Sequence, residues 1–397
     1  MTRQTSISRR DFIATAAAAA GLAGCASRSA GAPVPDDMQQ LYIGTYTDPD
    51  RHDGVHLLRL DARTGALARL DTFDVGPNPS FVALHPNGQV LYAVNELTEL
   101  AGQATGSVGA FAIANSGALA RLGASQLTRG GAPCYVSVTR DGRAVLVANY
   151  VGGNLAVFPV GADGALAPDV QVEQHEGRGP NAERQDAAHA HSVIPDPSGR
   201  WALSADLGAD RVYVYALDGT SAAGGGLREV SRLEMRPGAG PRHIAFHPTL
   251  PLVYVANEID NTVSALRWDA TAGTLAAGAV QSTLPAGWSG HSQVADIHVG
   301  PDGRTLYVSN RGHDSIAVYA IDSAGALSLL QLQSTEGSWP RNFGIDPSGR
   351  WLLVANERSD SVVVLARDAN TGRLATTGQR LAVPKPVCVR FKAPVIG

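Results

Sequence analysis

The sequence predicts an all-β protein, a seven-bladed β-propeller with four-stranded antiparallel blades, in which N- and C-terminal strands share one blade and close the ring. Three observations lead to this prediction. A motif recurs about every 50 residues, which is the range of propeller blades. Two half-copies of the motif also occur, one near each end of the chain. The 397 residues also include 44 glycines and 23 prolines, as expected for many short strands joined by tight turns.

Each copy of the repeat has an alternating apolar run, a Pro-x-Gly or Asp-Gly type of turn, a second apolar run and a closing Asn or Asp. The closing residues of the six copies are Asn95, Asn149, Asp206, Asn257, Asn310 and Asn356. After the closing residue come a third run, a Gly-x-Leu turn such as Gly325-Ala326-Leu327, and a fourth run. Two-residue alternation with glycine punctuation indicates four antiparallel strands per copy, and no helical period is visible.

Two fragments remain after the six complete copies. Residues 41–46 match the second strand of a blade, as at 91–96, and residues 386–391 match a first strand. The C-terminus is therefore predicted to supply the innermost strand of a seventh blade that the N-terminus begins. Closure of this kind removes open sheet edges, which would otherwise invite aggregation.

The N-terminus predicts export rather than folded structure. Ser8-Arg9-Arg10-Asp11-Phe12-Ile13 resembles a twin-arginine motif, and Leu22-Ala23-Gly24-Cys25 resembles a bacterial lipobox. The alternative is an alanine-rich helix with a chance arginine pair. We expect residues 1–25 to be the signal, 26–38 a flexible tether and 39–397 the propeller. The protein would then be periplasmic and lipid-anchored through Cys25.

Composition excludes several classes of partner. The net charge of −4 gives no reason to expect a nucleic-acid surface. Outside the N-terminus no apolar run approaches the roughly 20 residues of a membrane span, so membrane contact is expected only through the lipid anchor. We expect a monomer without cofactor or metal. Cys134 and Cys388 are too few and too distant to indicate a disulfide framework, and we expect two buried thiols.

Alignment of the turns predicts which side chains meet at one mouth of the central channel. The starts of the first strands place seven residues at equivalent positions: Ser80, Cys134, His191, Arg242, Ala295, Arg341 and Val387. The ends of the second strands lie on the same face and carry Asn95-Glu96, Asn149-Tyr150, Asp206-Leu207, Asn257-Glu258, Asn310-Arg311 and Asn356-Glu357. A funnel rim of this kind is where a propeller would bind a small ligand.

Departures from the repeat point to function more strongly than its recurrent Asn, which has a structural interpretation as a strand-end side chain bonded to nearby backbone. Blade 3 has His189-Ala190-His191 where its neighbours have Gly-Pro-Arg or Ala-Pro-Cys. Blades 4 and 6 have arginine at the same ring position. Two histidines so spaced could chelate zinc or be structural, but no third ligand is evident. We favour catalysis or substrate contact.

Two longer segments are predicted near the same face. Trp288 and His291 lie in an insertion before the first strand of blade 5, and the loop 174–188 contains His175, Arg178 and Arg184. Both segments are predicted to overhang the rim, although solvated surface is the default interpretation of their charged groups.

Several segments of the chain resemble one known family. They are Ala188-His189-Ala190-His191-Ser192-Val193, Gly240-Pro241-Arg242-His243-Ile244, Tyr254-Val255-Ala256-Asn257-Glu258, Ser309-Asn310-Arg311-Gly312-His313-Asp314-Ser315-Ile316 and Arg341-Asn342-Phe343. They resemble the propeller lactonases of the 6-phosphogluconolactonase type and the related muconate-lactonising enzymes, over roughly residues 40–395. The resemblance implies His191, Arg242, Glu258 and Arg341 as catalytic residues. Their neighbours His189, His243, Asn310, Arg311 and Asn342 are predicted to bind substrate.

These residue types suit hydrolysis of a lactone, which needs an activated water and donors for the oxyanion of a tetrahedral intermediate. His191 or Glu258 would be the general base. Arg242 and Arg341 would hold the developing charge, or a carboxylate or phosphate of the substrate. Because a phosphorylated sugar lactone is a cytoplasmic metabolite, export favours a different sugar or carboxylate lactone. The alternative class is a non-catalytic scaffold on the cell envelope.

Overall fold

The structure is a computed structural model, which describes residues 37–48, 54–218 and 226–392. These residues form 29 strands, arranged in seven antiparallel sheets, and one short 3-10 helix, Glu357–Ser359. The architecture is the predicted seven-bladed propeller. The twin-arginine motif, Cys25 and residues 26–36 of the expected tether lie outside the described residues.

The blades are numbered from the first complete repeat, and blade 7 contains both chain ends. Blade 7 begins with β1 (Met38–Thr45), β2 (Val55–Asp61) and β3 (Leu67–Phe73). Blade 1 contains β4 (Val82–Leu84), β5 (Val90–Asn95), β6 (Ser107–Ile113) and β7 (Leu119–Leu127). Blade 2 contains β8 (Pro133–Val138), β9 (Ala144–Asn149), β10 (Asn154–Pro159) and β11 (Gln171–Gln174). Blade 3 contains β12 (Ala190–Pro195), β13 (Trp201–Asp206), β14 (Arg211–Asp218) and β15 (Gly226–Glu234).

Blade 4 contains β16 (Pro241–Phe246), β17 (Leu252–Asn257), β18 (Thr262–Asp269), β19 (Thr274–Ala276) and β20 (Val280–Ser282). Here the fourth strand is divided, since β19 and β20 both pair with β18. Blade 5 contains β21 (Gln293–Val299), β22 (Thr305–Arg311), β23 (Ser315–Ile321) and β24 (Leu327–Ser334). Blade 6 contains β25 (Pro340–Ile345), β26 (Trp351–Asn356), β27 (Ser361–Arg367) and β28 (Leu374–Ala382). The innermost strand of blade 7 is β29 (Pro386–Phe391).

Ring closure follows the sequence prediction. Strand β29 pairs antiparallel with β1, with Val389 opposite Ile43 and Leu41 opposite Phe391. The order of blade 7 is therefore β29-β1-β2-β3. Cys388 of β29 and Cys134 of β8 are both buried and free, which confirms the expected pair of thiols.

The core lies between neighbouring blades. The second strands are apolar on both faces because a neighbouring blade packs against each face. Strand β9, for example, is buried along its whole length. The outermost strands face solvent, and β7 contains no buried residue. Four second-strand tyrosines also tie adjacent blades together: the hydroxyls of Tyr42, Tyr92, Tyr254 and Tyr307 donate to the carbonyls of Gly117, Gly164, Gly325 and Gly372 at distances of 2.7 to 3.0 Å.

Each of five inner strands has a β-bulge at the residue that the alignment places at the channel mouth. In blade 4, Pro241 pairs with Asn257 and His243 with Ala256, so that Arg242 is left without a partner across the ladder. The same break leaves Cys134, His191, Arg341 and Val387 unpaired. A bulge re-aims a side chain and ends regular pairing. It therefore explains how an all-antiparallel ring presents these side chains at one end of its channel.

No helix in the part of the chain that the structure describes is long and apolar enough to cross a membrane.

Candidate active site

The mouth of the channel holds a cavity of about 280 Å³. Its lining residues are Glu96, Cys134, Tyr150, Arg184, His191, Glu258, Gln293, Arg311 and Arg341. A much smaller cavity lies beside it and shares Cys134, Glu96 and Arg341, with Arg242 and His243 in its wall. Three of the four predicted catalytic residues thus line the main cavity. The fourth, Arg242, is in contact with Glu258 of that lining.

Glu258 is the most heavily paired carboxylate of the site. It follows β17, and its backbone N–H donates to Gly240 O at 2.7 Å. Its Oε1 lies 2.6 Å from Arg184 Nη2. Its Oε2 lies 2.8 Å from Arg242 Nε and 2.7 Å from Arg311 Nη2. One carboxylate is therefore shared by three guanidinium groups.

This pairing determines the charge state of Glu258. Burial by itself would raise the pKa of the carboxyl, but Arg311 and Arg242, with His191 and Arg184, hold the pKa well below its ordinary value. Oε1 accepts from Arg184, and Oε2 lies within ion-pair distance of Arg242 and Arg311, so a proton taken from water would have to compete with a guanidinium at either oxygen. Glu258 is thus a fixed anion and an unsuitable proton acceptor.

His191 has the opposite character. It lies in the bulge of β12 and is only 5% exposed. Its Nδ1 is 3.6 Å from Cys134 Sγ, while Nε2 makes no hydrogen bond with any residue in the described ranges. Burial, and then the neighbouring Arg242 and His243, hold the pKa of His191 well below its usual range. At neutral pH it is therefore an uncharged imidazole, and unlike either oxygen of Glu258 its Nε2 has no partner among the described residues and can accept a proton.

Arg242 is held on two sides. Its Nε faces Glu258, and its Nη1 donates to Ala295 O at 2.5 Å and lies 3.2 Å from His243 Nε2. Nη2 forms no hydrogen bond among the residues described. The side chain is 2% exposed, so the orientation of the guanidinium is fixed by its partners rather than by solvent.

The opposite wall of the cavity is a second polar network. Arg341 Nη2 donates to Tyr46 Oη at 2.8 Å, and Tyr46 donates to Glu96 Oε1 at 3.0 Å. Glu96 also accepts a hydrogen bond from Ser80 Oγ. Arg341 Nη1 is 3.9 Å from Glu357, so its positive charge is only loosely balanced on that side.

Of the five residues predicted to bind substrate, only Arg311 lines the main cavity. His189 bonds Tyr150 O at 2.9 Å and Asp186 Oδ1 at 3.1 Å. His243 lies behind Arg242, and Asn342 is buried, where its amide bonds Asp296 and the backbone of Val389. Asn310 donates to Thr283 O at 2.9 Å and to Ser315 Oγ. These four side chains support the site from outside the cavity.

The recurrent Asn is structural, as expected. Asn95, Asn149 and Asn356 each donate through Nδ2 to the backbone of the preceding loop, at Pro77, Thr128 and Thr335 respectively. Asn310 makes the same kind of bond. Its prediction as a substrate contact is therefore not supported by its position, because the amide is used to fix the blade.

The sequence predicts Glu96 and Tyr150 on the rim and a loop with Arg184 that overhangs it, but it assigns no role in the site to these residues or to Tyr46. Tyr46, Glu96 and Tyr150 follow the closing position of a second strand, as Glu258 and Arg311 do, so the alignment itself contained the signal. The default of solvated surface for loop 174–188 holds for the exposed Arg178. It is wrong for Arg184, and for His175, which is buried and bonds Asp206 and Tyr215.

The insertion before blade 5 does not reach the cavity lining. Trp288 is 41% exposed and packs edge-on against His313, and His291 stacks on Trp339. Within the described ranges, no group of three or more His, Cys, Asp or Glu side chains is placed to hold a metal ion.

Comparisons with known proteins agree with the propeller fold. A family model described as "Lactonase, 7-bladed beta-propeller" matches residues 40–391. A 6-phosphogluconolactonase from Bacillus subtilis (strain 168) is 40% identical over 353 residues, which cover 88% of this chain and 97% of that relative. A 6-phosphogluconolactonase from Formosa agariphila is 33% identical and covers 86% of this chain and 96% of its own.

A solved structure is similar over the same region. A periplasmic gluconolactonase from Pseudomonas aeruginosa superposes with a TM-score of 0.83 at 34% sequence identity. The match covers 90% of this chain and 99% of that one.

Proposed function

The chain belongs to the lactonase family of seven-bladed β-propellers, and on this premise we propose that it hydrolyses a lactone ring in the funnel, with His191 as general base. The observation that supports the assignment most is the contrast between two buried groups. His191 is kept neutral by burial and nearby arginines, whereas Glu258 is kept ionised by three guanidinium groups.

The proposed reaction begins with a water molecule beside Nε2 of His191. The imidazole takes one proton, and the hydroxide attacks the carbonyl carbon of the lactone. The carbonyl π bond becomes the oxyanion of a tetrahedral intermediate, which guanidinium donors stabilise. The C–O bond of the ring then breaks as the carbonyl re-forms, and the leaving oxygen receives the proton from His191. The product is a hydroxy acid, and the histidine returns to its neutral form.

Arg242, Arg311 and Arg341 are the candidate donors for the oxyanion. Arginine is suited to this role because its planar fork stays charged and directs several N–H groups. Glu258 would act as the anion that keeps Arg242 and Arg311 in place. Three arginines and two glutamates line the cavity. This excess of positive charge favours a lactone that also bears a carboxylate or phosphate.

A non-catalytic scaffold on the cell envelope is not favoured. Such a scaffold would have no need for a neutral histidine in a cavity walled by charged groups, since burying these groups costs stability. The relatives from Bacillus subtilis and Formosa agariphila are named 6-phosphogluconolactonase, and this chain aligns with nearly their full length.

The test is a His191→Asn variant assayed for base consumption on phosphorylated, carboxylated and neutral sugar lactones, with spontaneous hydrolysis subtracted. We expect kcat to fall by about 10²- to 10⁴-fold, as for loss of a general base. His85→Asn is the matched control, because His85 lies in the turn between β4 and β5, where it bonds Gly142 O, and its rate should stay near that of wild type. Equal rates for wild type and His191→Asn would contradict the assignment.

The pH profile gives a second reading of the same base. Because the folded pKa of His191 is held well below the ordinary value of about 6.5, the base remains unprotonated as pH falls through that value. The lactonase rate, corrected for spontaneous hydrolysis, should therefore stay level between pH 8 and about pH 6. A fall of the rate centred near pH 6.5 would indicate an unperturbed histidine.

We propose that the protein is exported and anchored by a lipid on Cys25. Support comes from the spacing of Arg9-Arg10 before the lipobox, and from the similarity to a gluconolactonase that is named periplasmic. Cys25→Ala should move the protein from the membrane fraction to the soluble periplasm, since the acyl chains provide the attachment. Arg9→Lys with Arg10→Lys should keep it in the cytoplasm. Unchanged fractionation of both variants would refute the proposal.

A further inference from the structure

A buried chain of hydrogen bonds lies behind Arg242, on the side away from the cavity. Its centre is Asp296 of β21, which is 3% exposed. Its carboxylate accepts from four donors: His243 Nδ1 at 2.7 Å, His298 Nε2 at 2.9 Å, Asn342 Nδ2 at 2.5 Å and Phe343 N at 3.2 Å. Asp296 therefore joins the inner strands of blades 4, 5 and 6 next to the channel.

The donors are divided unevenly between the two carboxylate oxygens. His243 alone occupies Oδ1, whereas His298, Asn342 and the backbone N–H of Phe343 converge on Oδ2. A backbone N–H cannot become an acceptor. The Oδ2 side of residue 296 must therefore remain an acceptor in any folded variant.

The tautomer of His243 follows from its two partners. Nε2 is 3.2 Å from Arg242 Nη1, and arginine can only donate, so Nε2 must be the unprotonated nitrogen. The ring proton is then on Nδ1 and is donated to Asp296. Burial, with Arg242 beside it, lowers the pKa of His243 to about 3, which agrees with a neutral ring.

We infer that Asp296 and His243 form a positioning pair for Arg242, in which the carboxylate selects the histidine tautomer that accepts from the arginine. This inference rests on the proposed function, because it gives the pair a purpose only if Arg242 contacts the substrate. With Nε within 2.8 Å of the Glu258 carboxylate and Nη1 bonded to His243 and Ala295, the guanidinium is held on two sides, and Nη2 is left without a hydrogen bond among the described residues.

Asp296→Asn tests the inference because it changes the hydrogen-bond polarity with almost no change in shape. The amide oxygen must face the three donors at the Oδ2 side, so the amide NH₂ faces His243 Nδ1. Nδ1 must then accept, and the proton moves to Nε2, where it opposes the N–H of Arg242. An Asp-to-Asn change beside a catalytic histidine has this tautomer effect in the Ser-His-Asp triad.

The first experiment measures the tautomer directly, by ¹⁵N NMR of the histidine side chains at pH 7. Wild type should show His243 protonated on Nδ1, and Asp296→Asn should show it protonated on Nε2. In the same variant kcat on the best lactone of the panel should fall by about 10- to 100-fold, as is typical when a supporting partner is lost. Asp346→Asn is the matched control.

Asp346 suits this purpose because it is equally buried, at 2%, and accepts from Ser348, Arg350 and Trp351 in the β25–β26 turn, away from Arg242. The Asp346→Asn variant therefore measures how the loss of a buried carboxylate changes stability when Arg242 is not involved. Its kcat should stay within about threefold of wild type, although its melting temperature falls as a buried network is broken.

A second variant covers the case in which Asp296→Asn does not fold. His243→Leu removes the acceptor of Arg242 while Asp296 keeps its three other donors. It should lower kcat as much as Asp296→Asn does. The double variant should be no slower than His243→Leu alone, since both changes break one chain of contacts.

Two results would overturn the inference: an Nδ1-protonated His243 in folded Asp296→Asn, or a kcat of His243→Leu equal to that of Asp346→Asn. Failure of the proposed function is distinguishable. In that case wild type shows no lactonase rate at all, whereas the tautomer shift in Asp296→Asn is still measured.

Discussion

At the scale of single residues, the site depends on the mutual balance of buried charges. Arg242 and Arg311 are almost completely buried, and the carboxylate within ion-pair distance of both is Glu258. Removing one partner of such a group leaves the others as uncompensated charges, which is far more costly than the loss of an exposed ion pair. Glu258 is therefore expected to determine stability and the geometry of the oxyanion donors together.

Glu258→Gln should lower the free energy of unfolding by about 3–5 kcal/mol, the usual cost of breaking a buried ion pair. The measurement is urea denaturation at pH 7. Glu357→Gln is the matched control, because Glu357 is partly exposed and its contact with Arg341 is 3.9 Å long. It should cost less than about 1 kcal/mol. Equal losses for the two variants would contradict a central role for Glu258.

The pH dependence of this difference has a defined sign. The folded pKa of Glu258 is depressed, so its contribution is complete above the unfolded value of about 4.3 and is lost as pH falls toward the folded pKa. The stability gap between wild type and Glu258→Gln should therefore be constant from pH 8 to about pH 5 and shrink below about pH 4.

At the scale of strands, the bulges in the inner strands create the site. Arg242 faces the channel because β16 skips one residue between Pro241 and His243. The turn before that strand is held by Gly240, whose φ is +66°. Gly240 N donates to Asp210 Oδ1 at 2.8 Å, and Gly240 O accepts from Glu258 N at 2.7 Å. One glycine thus sets the position of two charged residues.

Gly240→Ala should destabilise the protein and lower its activity together. A Cβ there would lie 2.6 Å from Ile259 Cγ1, in addition to the positive-φ strain. We expect a cost of about 2–4 kcal/mol, the sum of about 1 for the backbone and 1–3 for the clash. Gly88→Ala is the control, since its φ is +69° but nothing lies within 4 Å of the added Cβ. The comparison uses urea denaturation and kcat/KM.

Gly88→Ala should therefore cost only about 1 kcal/mol and leave kcat/KM unchanged, because that turn lies in blade 1 away from the cavity. A Gly240→Ala protein as stable and active as Gly88→Ala would show that this turn does not control the site.

At the scale of the whole molecule, stability depends on closure of the ring. Strand β29 contributes Val387, Cys388 and Val389 to the core, all 2% exposed or less. Without it, β1 would present an unpaired edge toward the channel, and such edges promote association with other chains. Strand β29 is therefore expected to be required for a monomeric fold.

Deletion of residues 386–397 should abolish cooperative unfolding and yield aggregated protein. Size-exclusion chromatography and thermal denaturation report both effects. The control is deletion of residues 393–397, which follow β29 and should leave the melting temperature within a few degrees of wild type. A monomeric and cooperatively folded protein after the longer deletion would disprove a requirement for the closing strand.

Much of the site could be predicted because the repeat aligns positions that are far apart in sequence. His191, Arg242 and Arg341 stand at one position of the repeat, and Glu258 and Arg311 stand at another. The recurrence of the motif, not the chemistry of any one residue, places them on one face. Tyr46 and Glu96 occupy the second position as well, and Glu96 was placed on the rim, but the alignment alone gave neither residue a chemical role.

Arg184 could not be found in this way, because it lies in a loop outside the repeat. Its pairing with Glu258 joins residues 74 positions apart. Asp296 escaped notice for a related reason. Its function as a hub depends on four donors from three strands, and no local pattern records such a convergence.

The sequence by itself determined the seven blades, the shared closing blade and the face on which the candidate site residues meet. Alternation, turn residues and repeat spacing act locally, and each can be read within a few residues of where it operates. Only the tertiary structure decided which histidine stays neutral, which glutamate stays ionised and which residues merely support the site. Those properties depend on burial and on charges within a few ångströms, and these are fixed only when blades distant in sequence come together.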